Sequence, residues 1–249
     1  MGIPTDRVLE KLDGFFARND TAAAKRHLLY WLSEAQMLGD DRGALLLSNE
    51  LMGLCRKLGQ RDEALDYAQK ALALVEKMGI DQNVGAATTY LNSATVYKAF
   101  NRPQDALLLY EKAKNIYEQQ LRPDDDRLAG LYNNMALALV DLERFQEADD
   151  LYRQALSVLE NVPDKVPEMA ITYLNMATAA EKQHGLSGGR AAIDAFMEQA
   201  KVLLESCREQ TDGNYAFVCE KCASVFGYYG DEMYARNLLE RSRRIYEGT

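Results

Sequence analysis

The segment from Arg61 to Leu74 reads RDEALDYAQKALAL, and two later segments repeat its pattern. They are PQDALLLYEKAKNI from Pro103 and FQEADDLYRQALSV from Phe145, so each copy begins 42 residues after the previous one. In every copy two alanines stand seven residues apart, which is about two turns of an α-helix. Small residues on one stripe let a neighbouring helix approach closely. The spacing therefore predicts helices that pack side by side in a regular series.

A second block alternates with the first. YLNSATVY from Tyr90 returns as YNNMALAL from Tyr132 and as YLNMATAA from Tyr173. A fixed period longer than about 20 residues indicates stacked supersecondary units, and Gly59, Pro103 and the prolines at 163–167 interrupt the helical periodicity. The sequence thus predicts an all-α protein of antiparallel helical hairpins. The predicted hairpins pair 42–59 with 61–79, 84–101 with 103–121, 126–143 with 145–162, 167–184 with 189–206, and 214–229 with 231–247.

The predicted organisation is a single domain of about 12 helices. Residues 1–41 form a degenerate helical pair that caps the stack, with Val8, Leu12 and Phe15 on its apolar face. Residues 42–249 form a solenoid of about five repeats. Glycines between 185 and 189 indicate a widened turn in the fourth repeat, and three aspartates at 124–126 are predicted to cap a helix.

The repeated blocks resemble the tetratricopeptide repeat, in the long version of about 42 residues found in kinesin light chains and in many bacterial proteins. The resemblance rests on the paired alanines and on the tyrosines at 90, 132 and 173 that open each first helix. It implies an α-α superhelix whose first helices line a concave groove for an extended peptide or a partner helix. The implied function is a non-catalytic protein-protein interaction module. The alternative is a peptide-sensing regulator of the bacterial type, which changes superhelix shape on binding.

Three asparagines, Asn92, Asn134 and Asn175, precede the close-packed alanine of their blocks by two residues. The resemblance places this position on the groove, where an amide can pair with the backbone of a ligand whatever its sequence. A second interpretation is that the asparagines bond to neighbouring helices and set the stacking register. Flanking first-helix positions complete the candidate groove: Thr88, Leu91, Thr95, Lys98, Asn133, Leu137, Asp141, Leu174, Thr178 and Lys182.

Other constellations give weaker signals. Lys98 and Lys182 could clamp a terminal carboxylate, as in chaperone-type members of the family. Cys219 and Cys222 form a C-x-x-C motif with Cys207 upstream, but a zinc site needs four ligands and the chain has two histidines. Buried free thiols are therefore predicted, with no metal and no cofactor. The basic run 241–244 is predicted to be a solvated helix face.

Composition excludes several classes of protein. Lys and Arg total 29 against 38 acidic residues, a net charge of −9 that repels nucleic acid and anionic lipid. No apolar run approaches the roughly 20 residues of a membrane span, and no catalytic motif is present. We therefore expect a cytoplasmic protein that is not an enzyme and that binds a protein or peptide ligand. The last hairpin also allows a homodimer through Tyr228, Tyr229, Met233 and Tyr234.

Overall fold

The structure is a computed structural model that describes residues 2–248. These residues form twelve α-helices and no strand, which confirms the predicted fold class. A single 3-10 turn, Pro163–Lys165, precedes α9. The helices are α1 Thr5–Ala17, α2 Thr21–Leu38, α3 Asp41–Lys57, α4 Arg61–Met78, α5 Val84–Ala99, α6 Pro103–Gln120, α7 Asp126–Asp141, α8 Phe145–Leu159, α9 Val166–Gly188, α10 Arg190–Ser206, α11 Gly213–Tyr228 and α12 Glu232–Glu247.

Side-chain caps fix where many of the helices begin. Asp40 is an example: its carboxylate accepts hydrogen bonds from the backbone N–H groups of Gly43 (3.0 Å) and Ile3 (2.9 Å). Because these two N–H groups bond the charged form, they hold the pKa of Asp40 below its ordinary value. Asp125 caps α7 and Asp126 lies in its first turn, which confirms the prediction for this acidic run. The other side-chain caps are Asp20, Asn83, Asp212 and Asp231.

The helices group into two compact units that divide after Gln120. The first unit holds α1–α6, and its core includes the fully buried alanines Ala64 and Ala71 of the repeat signature. Val8 and Leu12 of α1 are buried in the same core. The apolar face predicted for the first helix is therefore packed inward, and α1 and α2 are integral to this unit.

The second unit holds α7–α12. Its fourth hairpin departs from the repeat, because Ile193 occupies the small-residue position and is buried against Ala177 and Ala180. The glycine-rich segment does not form an open turn. Gly185 adopts φ 71°, after which one more helical turn follows before α10, and a Cβ on Gly189 would lie 2.9 Å from the carbonyl oxygen of Ala180. This close approach requires glycine.

The last helix corrects one expectation. The predicted solvated face is wrong for Arg241, whose side chain is only 19% exposed. Its guanidinium donates to the carboxylate of Glu205 (2.6 Å) and to the hydroxyl of Tyr215 (3.1 Å). Tyr234 also donates to Glu205, at 2.8 Å. Arg241 thus joins α10, α11 and α12 rather than facing water.

The cysteines and the C-terminal tyrosines are also placed. Cys207, Cys219 and Cys222 are buried free thiols, as predicted, and the described residues contain no cluster suited to hold a metal ion. In the predicted dimer patch, Tyr234 is buried, whereas Tyr228 and Met233 are 69% and 83% exposed. Homodimerisation stays a prediction that rests on the two exposed side chains.

Candidate functional site

A groove of about 510 Å³ lies in the second unit between α7, α9 and α11, the first helices of three successive repeats. Five of the residues predicted for the groove line it together: Asn133, Asn134, Leu137, Leu174 and Asn175. Side chains of α11 that were not predicted close it, and a charged group lies at the start of α7 and α9. The further lining residues are Asp126, Ala129, Gly130, Leu159, Lys165, Glu168, Ile171, Phe217, Lys221, Cys222, Ser224 and Val225.

The groove is built from repeat-equivalent positions. Lys221 precedes Ala223 by two residues, so it holds in the fifth repeat the position that Asn134 and Asn175 hold in theirs. One helical turn earlier the equivalent residues are Gly130, Ile171 and Phe217, which all line the groove. Counting back from Ala223, as the asparagines are counted from their own alanines, thus identifies Lys221 and Phe217 from the sequence.

Two of the groove residues bridge neighbouring first helices. Asn175 donates from its side-chain amide to Asn133 Oδ1 at 3.4 Å, and Asn133 donates to Thr172 Oγ1 at 2.8 Å. Asn134 instead bonds within its own helix, to the carbonyl oxygen of Gly130 at 2.9 Å. The amide bridge therefore links α7 to α9, and the Asn134 amide is left on the groove wall.

The first unit contains the same bridge. Asn92 donates to Asn49 Oδ1 at 2.9 Å, and Asn49 donates to Thr89 Oγ1 at 3.1 Å. Asn49 also donates to the carbonyl oxygen of Leu45 within α3, at 3.0 Å. Asn92 and Asn175 thus bond to a neighbouring helix, as the second interpretation expects. That these bonds set the stacking register, and that the two side chains bind a ligand, both stay predictions.

An apolar pair takes the place of the bridge at one junction of the second unit. Asn49 faces Thr89, and Asn133 faces Thr172. The residues equivalent to Asn133 and Thr172 at the next junction are Leu174 and Val218, and both are buried in one core cluster. At these junctions within the units, asparagine thus pairs with threonine and leucine lies with valine.

The other residues predicted for the groove are not among those that line it. Thr88 and Thr95 contact the hydroxyls of Tyr117 (2.8 Å) and Tyr110 (3.2 Å) on α6, the partner helix of their own hairpin. Thr178 is exposed on α9 and donates to the backbone carbonyl of residue 174 at 3.1 Å. Leu91 and Lys98 are half-buried on α5 of the first unit.

The predicted lysine clamp meets a competitor. Lys182 pairs with Asp141 at 3.0 Å across α7 and α9, and both side chains are partly exposed. A ligand carboxylate at Lys182 would have to compete with this intramolecular ion pair. Exposed pairs of this kind contribute about 0–1 kcal/mol, so the competition is modest.

A charged cluster marks one end of the groove. Lys165 lies 3.1 Å from Asp126 and 3.3 Å from Glu168. Burial lowers the pKa of Lys165, but its hydrogen bond with Asp126 and the charge of Glu168 raise it more, and the net direction is upward. Asn214 donates to Glu168 at 2.9 Å. One ammonium thus faces two carboxylates, which leaves this end of the groove with an excess of negative charge.

The opposite wall is aromatic and basic. Phe217 of α11 is 45% exposed, and the ammonium of Lys221 lies 5.5 Å from the centre of its ring. The thiol of Cys222 behind them is buried, and burial raises its pKa well above the ordinary value. The wall therefore offers a ligand an aromatic face and a cation rather than a reactive nucleophile.

The twelve helices, the stacked hairpins and the amide-lined groove define a helical-repeat protein. A family model described as tetratricopeptide repeat matches residues 43–119 and 127–186, more than half of the chain. The chain belongs to the tetratricopeptide repeat family, which confirms the predicted resemblance. The repeats of this family form a scaffold for protein interactions, and its members are generally non-catalytic.

Two characterised relatives match part of the chain. Protein KINESIN LIGHT CHAIN-RELATED 2 of Arabidopsis thaliana is 25% identical over 157 residues, 62% of this chain and 23% of that protein. A clustered mitochondria protein homolog of Debaryomyces hansenii is 30% identical over 102 residues, 41% of this chain and 8% of that protein. The chain thus spans less than a quarter of the length of either relative.

Solved structures show the same fold. BtubC (BKLC) from P. vanneervenii aligns with a TM-score of 0.60 at 20% identity, over 92% of this chain and 91% of that one. A kinesin light chain protein with TPR-like repeats from Podosopora anserina gives 0.56 at 20% identity, over 81% and 94%. The apo quorum sensor NprR from B. thuringiensis gives 0.58 at 18% identity, over 96% and 64%. Among the described residues, none of the helices is both long and apolar enough to cross a membrane.

Proposed function

We propose that the chain is a non-catalytic interaction module that binds an extended segment of a partner protein or peptide in the groove of its second unit. The observation that carries the proposal is that the same lining positions recur on the first helices of three successive repeats, α7, α9 and α11. A surface that repeats along a series of helices suits an elongated ligand better than a compact one.

Asn134 is the best-placed polar contact. One of its side-chain N–H groups bonds to the carbonyl of Gly130, while a primary amide has two N–H donors and a carbonyl with two lone pairs. The group can therefore hold its rotamer through the helix and still bond to a ligand backbone. Such an amide pairs with any peptide unit, so it contributes affinity without demanding a particular side chain.

Phe217 is the best-placed apolar contact. It is a large aromatic side chain, 45% exposed at the groove wall, with the apolar side chains of Ile171 and Val225 also in the lining. Aromatic anchors in partly enclosed pockets supply a large share of binding energy at protein interfaces. We expect an apolar side chain of the ligand to pack on Phe217.

The test begins with a randomised peptide library displayed on phage and selected against the full chain. Selected peptides are then titrated against Asn134→Ala and a matched control, Asn161→Ala. Asn161 lies two residues after the end of α8 and donates to the carbonyl oxygen of Ser157 in that helix at 2.8 Å, four residues back as in Asn134, but it does not line the groove. One hydrogen bond of about 0.5–1.5 kcal/mol corresponds to a two- to twelvefold loss of affinity for Asn134→Ala, with no loss for the control.

Phe217→Ala should weaken the same peptides more strongly, by about thirtyfold or more, because truncating an interface anchor costs about 2 kcal/mol or more. Peptides that bind both Asn134→Ala and Phe217→Ala with unchanged affinity would show that they dock elsewhere. Failure to select any peptide would count against the proposal as a whole.

A further inference from the structure

The lining of the groove changes along its helices. Asp126 and Glu168 lie in the first turns of α7 and α9 and form an acidic level. An apolar level follows about one helical turn later, and a level of amides and a cation follows after one more turn. The apolar level consists of Gly130, Ile171 and Phe217, and the last level consists of Asn134, Asn175 and Lys221. A ligand that crosses the groove therefore meets three different surfaces in a fixed order.

The acidic level keeps a negative charge. Lys165 is the only described cation that pairs with Asp126 or Glu168, and Asn214, which donates to Glu168, is neutral. The Asp126 side chain is 43% exposed, so a group in the groove can reach it. A ligand cation is attracted to this level, and a ligand anion is repelled by it.

Lys221 supplies the opposite charge. Its side chain is exposed, and its ammonium lies 5.5 Å from the centre of the Phe217 ring. Among the described residues, it forms no ion pair with a carboxylate. Its charge is therefore available to an acidic group of a ligand that also packs on Phe217.

The separation of the two charged places sets the spacing of complementary charges in a ligand. Lys221 is level with Asn175, which follows Glu168 by seven residues, about 10 Å along a helix. Since packed neighbouring helices lie about 8–10 Å apart, Lys221 is about 14 Å from the place of Glu168 and about 22 Å from that of Asp126. An extended chain covers these distances with about four to seven residues.

We propose that the groove selects an extended segment with one basic and one acidic side chain, about four to seven residues apart, and an apolar side chain between them. The basic side chain lies at Asp126 and Glu168. The apolar one packs on Phe217, and the acidic one pairs with Lys221. This inference rests on the proposed function, because it specifies the ligand of the same groove. The net charge of −9 alone would favour a wholly basic segment, so the combination of opposite charges is the specific expectation.

The test uses the phage-selected peptides, labelled with a fluorophore and titrated against the full chain by fluorescence anisotropy. Lys221→Glu should weaken a peptide with the expected charges about two- to thirtyfold, because attraction at a partly exposed site becomes repulsion. The same peptide with its acidic residue changed to lysine should bind Lys221→Glu more tightly than it binds the wild type.

Lys112→Glu is the matched control, because it changes the net charge by the same amount. The ammonium of Lys112 lies 5.6 Å from the centre of the Tyr90 ring, but Lys112 does not line the groove. This variant should bind both peptides with the affinities of the wild type.

Asp126→Asn tests the acidic level with little change of shape. It should weaken the parent peptide about 1.5- to fivefold. It should not weaken a version of the peptide in which glutamine replaces the basic residue, so the four affinities measure the coupling between the two charges.

Binding in the groove is established separately by the loss of affinity in Asn134→Ala and Phe217→Ala. Peptides that respond to these two variants but show no charge coupling at Lys221 and Asp126 would overturn this inference and leave the proposed function standing. The two carboxylates would then serve only the beginnings of their helices. An absence of groove-binding peptides would overturn both proposals.

Discussion

Replacement of Asn49 by leucine tests whether the amide bridge holds neighbouring repeats in register. Asn49 lies on α3, and its side chain accepts a hydrogen bond from Asn92 of α5 at 2.9 Å and donates one to Thr89 of α5 at 3.1 Å. Thr89 is 1% exposed, and its hydroxyl also donates to the carbonyl of Gly85 at 3.2 Å. The substitution removes both inter-helix bonds at once.

The expected cost follows from these contacts. Two net hydrogen bonds of about 0.5–1.5 kcal/mol each amount to about 1–3 kcal/mol, and burial of the leucine at this half-buried position returns up to about 1 kcal/mol. Thr89→Val alone should cost about 0.5–1.5 kcal/mol, because it removes one acceptor and keeps the shape of the side chain.

The double variant Asn49→Leu with Thr89→Val should cost at least about 1 kcal/mol less than the sum of the single variants. It reproduces the apolar pair of Leu174 and Val218, which is buried at another junction of this chain. Asn92 is then free to bond within its own helix, as Asn134 does. Couplings of about 0.5–3 kcal/mol are usual for residues in contact.

The assay is urea unfolding monitored by far-ultraviolet circular dichroism, with the urea slope required to stay constant across the four proteins. Asn161→Leu serves as the control, because this exposed asparagine just after α8 bonds only to the carbonyl oxygen of Ser157 four residues back. It should change stability by less than about 0.5 kcal/mol. Strict additivity of the two single variants, or an Asn49→Leu variant as stable as the wild type, would refute the reasoning.

Three further predictions concern two tyrosines, a carboxylate and a thiol. In thermal unfolding, Tyr152→Phe, which removes a buried hydroxyl with no hydrogen-bond partner among the described residues, should be as stable as the wild type or up to about 1 kcal/mol more stable, whereas Tyr110→Phe should lose about 0.5–1.5 kcal/mol with its bonded hydroxyl; equal losses would contradict this. Burial raises the pKa of Glu205, but hydrogen bonds, including that from Arg241, lower it more. The stability that this carboxylate contributes is present at neutral pH and lost as pH falls below about 4. Urea titrations at a series of pH values should therefore show that the free energy of unfolding falls less at acidic pH in Glu205→Gln than in the wild type. Burial raises the pKa of Cys222, so a thiol reagent should label it only at the rate of unfolding.

The sequence was sufficient to predict the fold because the repeat signal is redundant. Paired alanines recur at a constant spacing, and the structure places helix ends within a few residues of the predicted ones. Local signals also sufficed for the cap at Asp125. These features depend on neighbours a few residues away, which is the range over which sequence patterns are informative.

Contacts between residues far apart in the sequence could not be predicted. The burial of Arg241 depends on Glu205, 36 residues away on another helix, and nothing in the local basic run distinguishes it from a solvated face. The candidate groove was predicted in part, since its position in each repeat follows from the register. The repeat pattern could not show that Asn175 and Asn92 also bond to the first helix of the preceding repeat. Their partners, Asn133 and Asn49, occupy a different position of the repeat, one residue earlier, so comparing equivalent positions does not reveal the contact.

The two sides of a junction are matched within each unit: asparagine faces threonine between α3 and α5 and between α7 and α9, and leucine is buried with valine between α9 and α11. Deleting the hairpin of α9 and α10 would bring Asn133 of α7 to the position opposite Val218 of α11 and leave its amide without a threonine. Shortened versions of this protein should therefore keep the hairpins of one unit together.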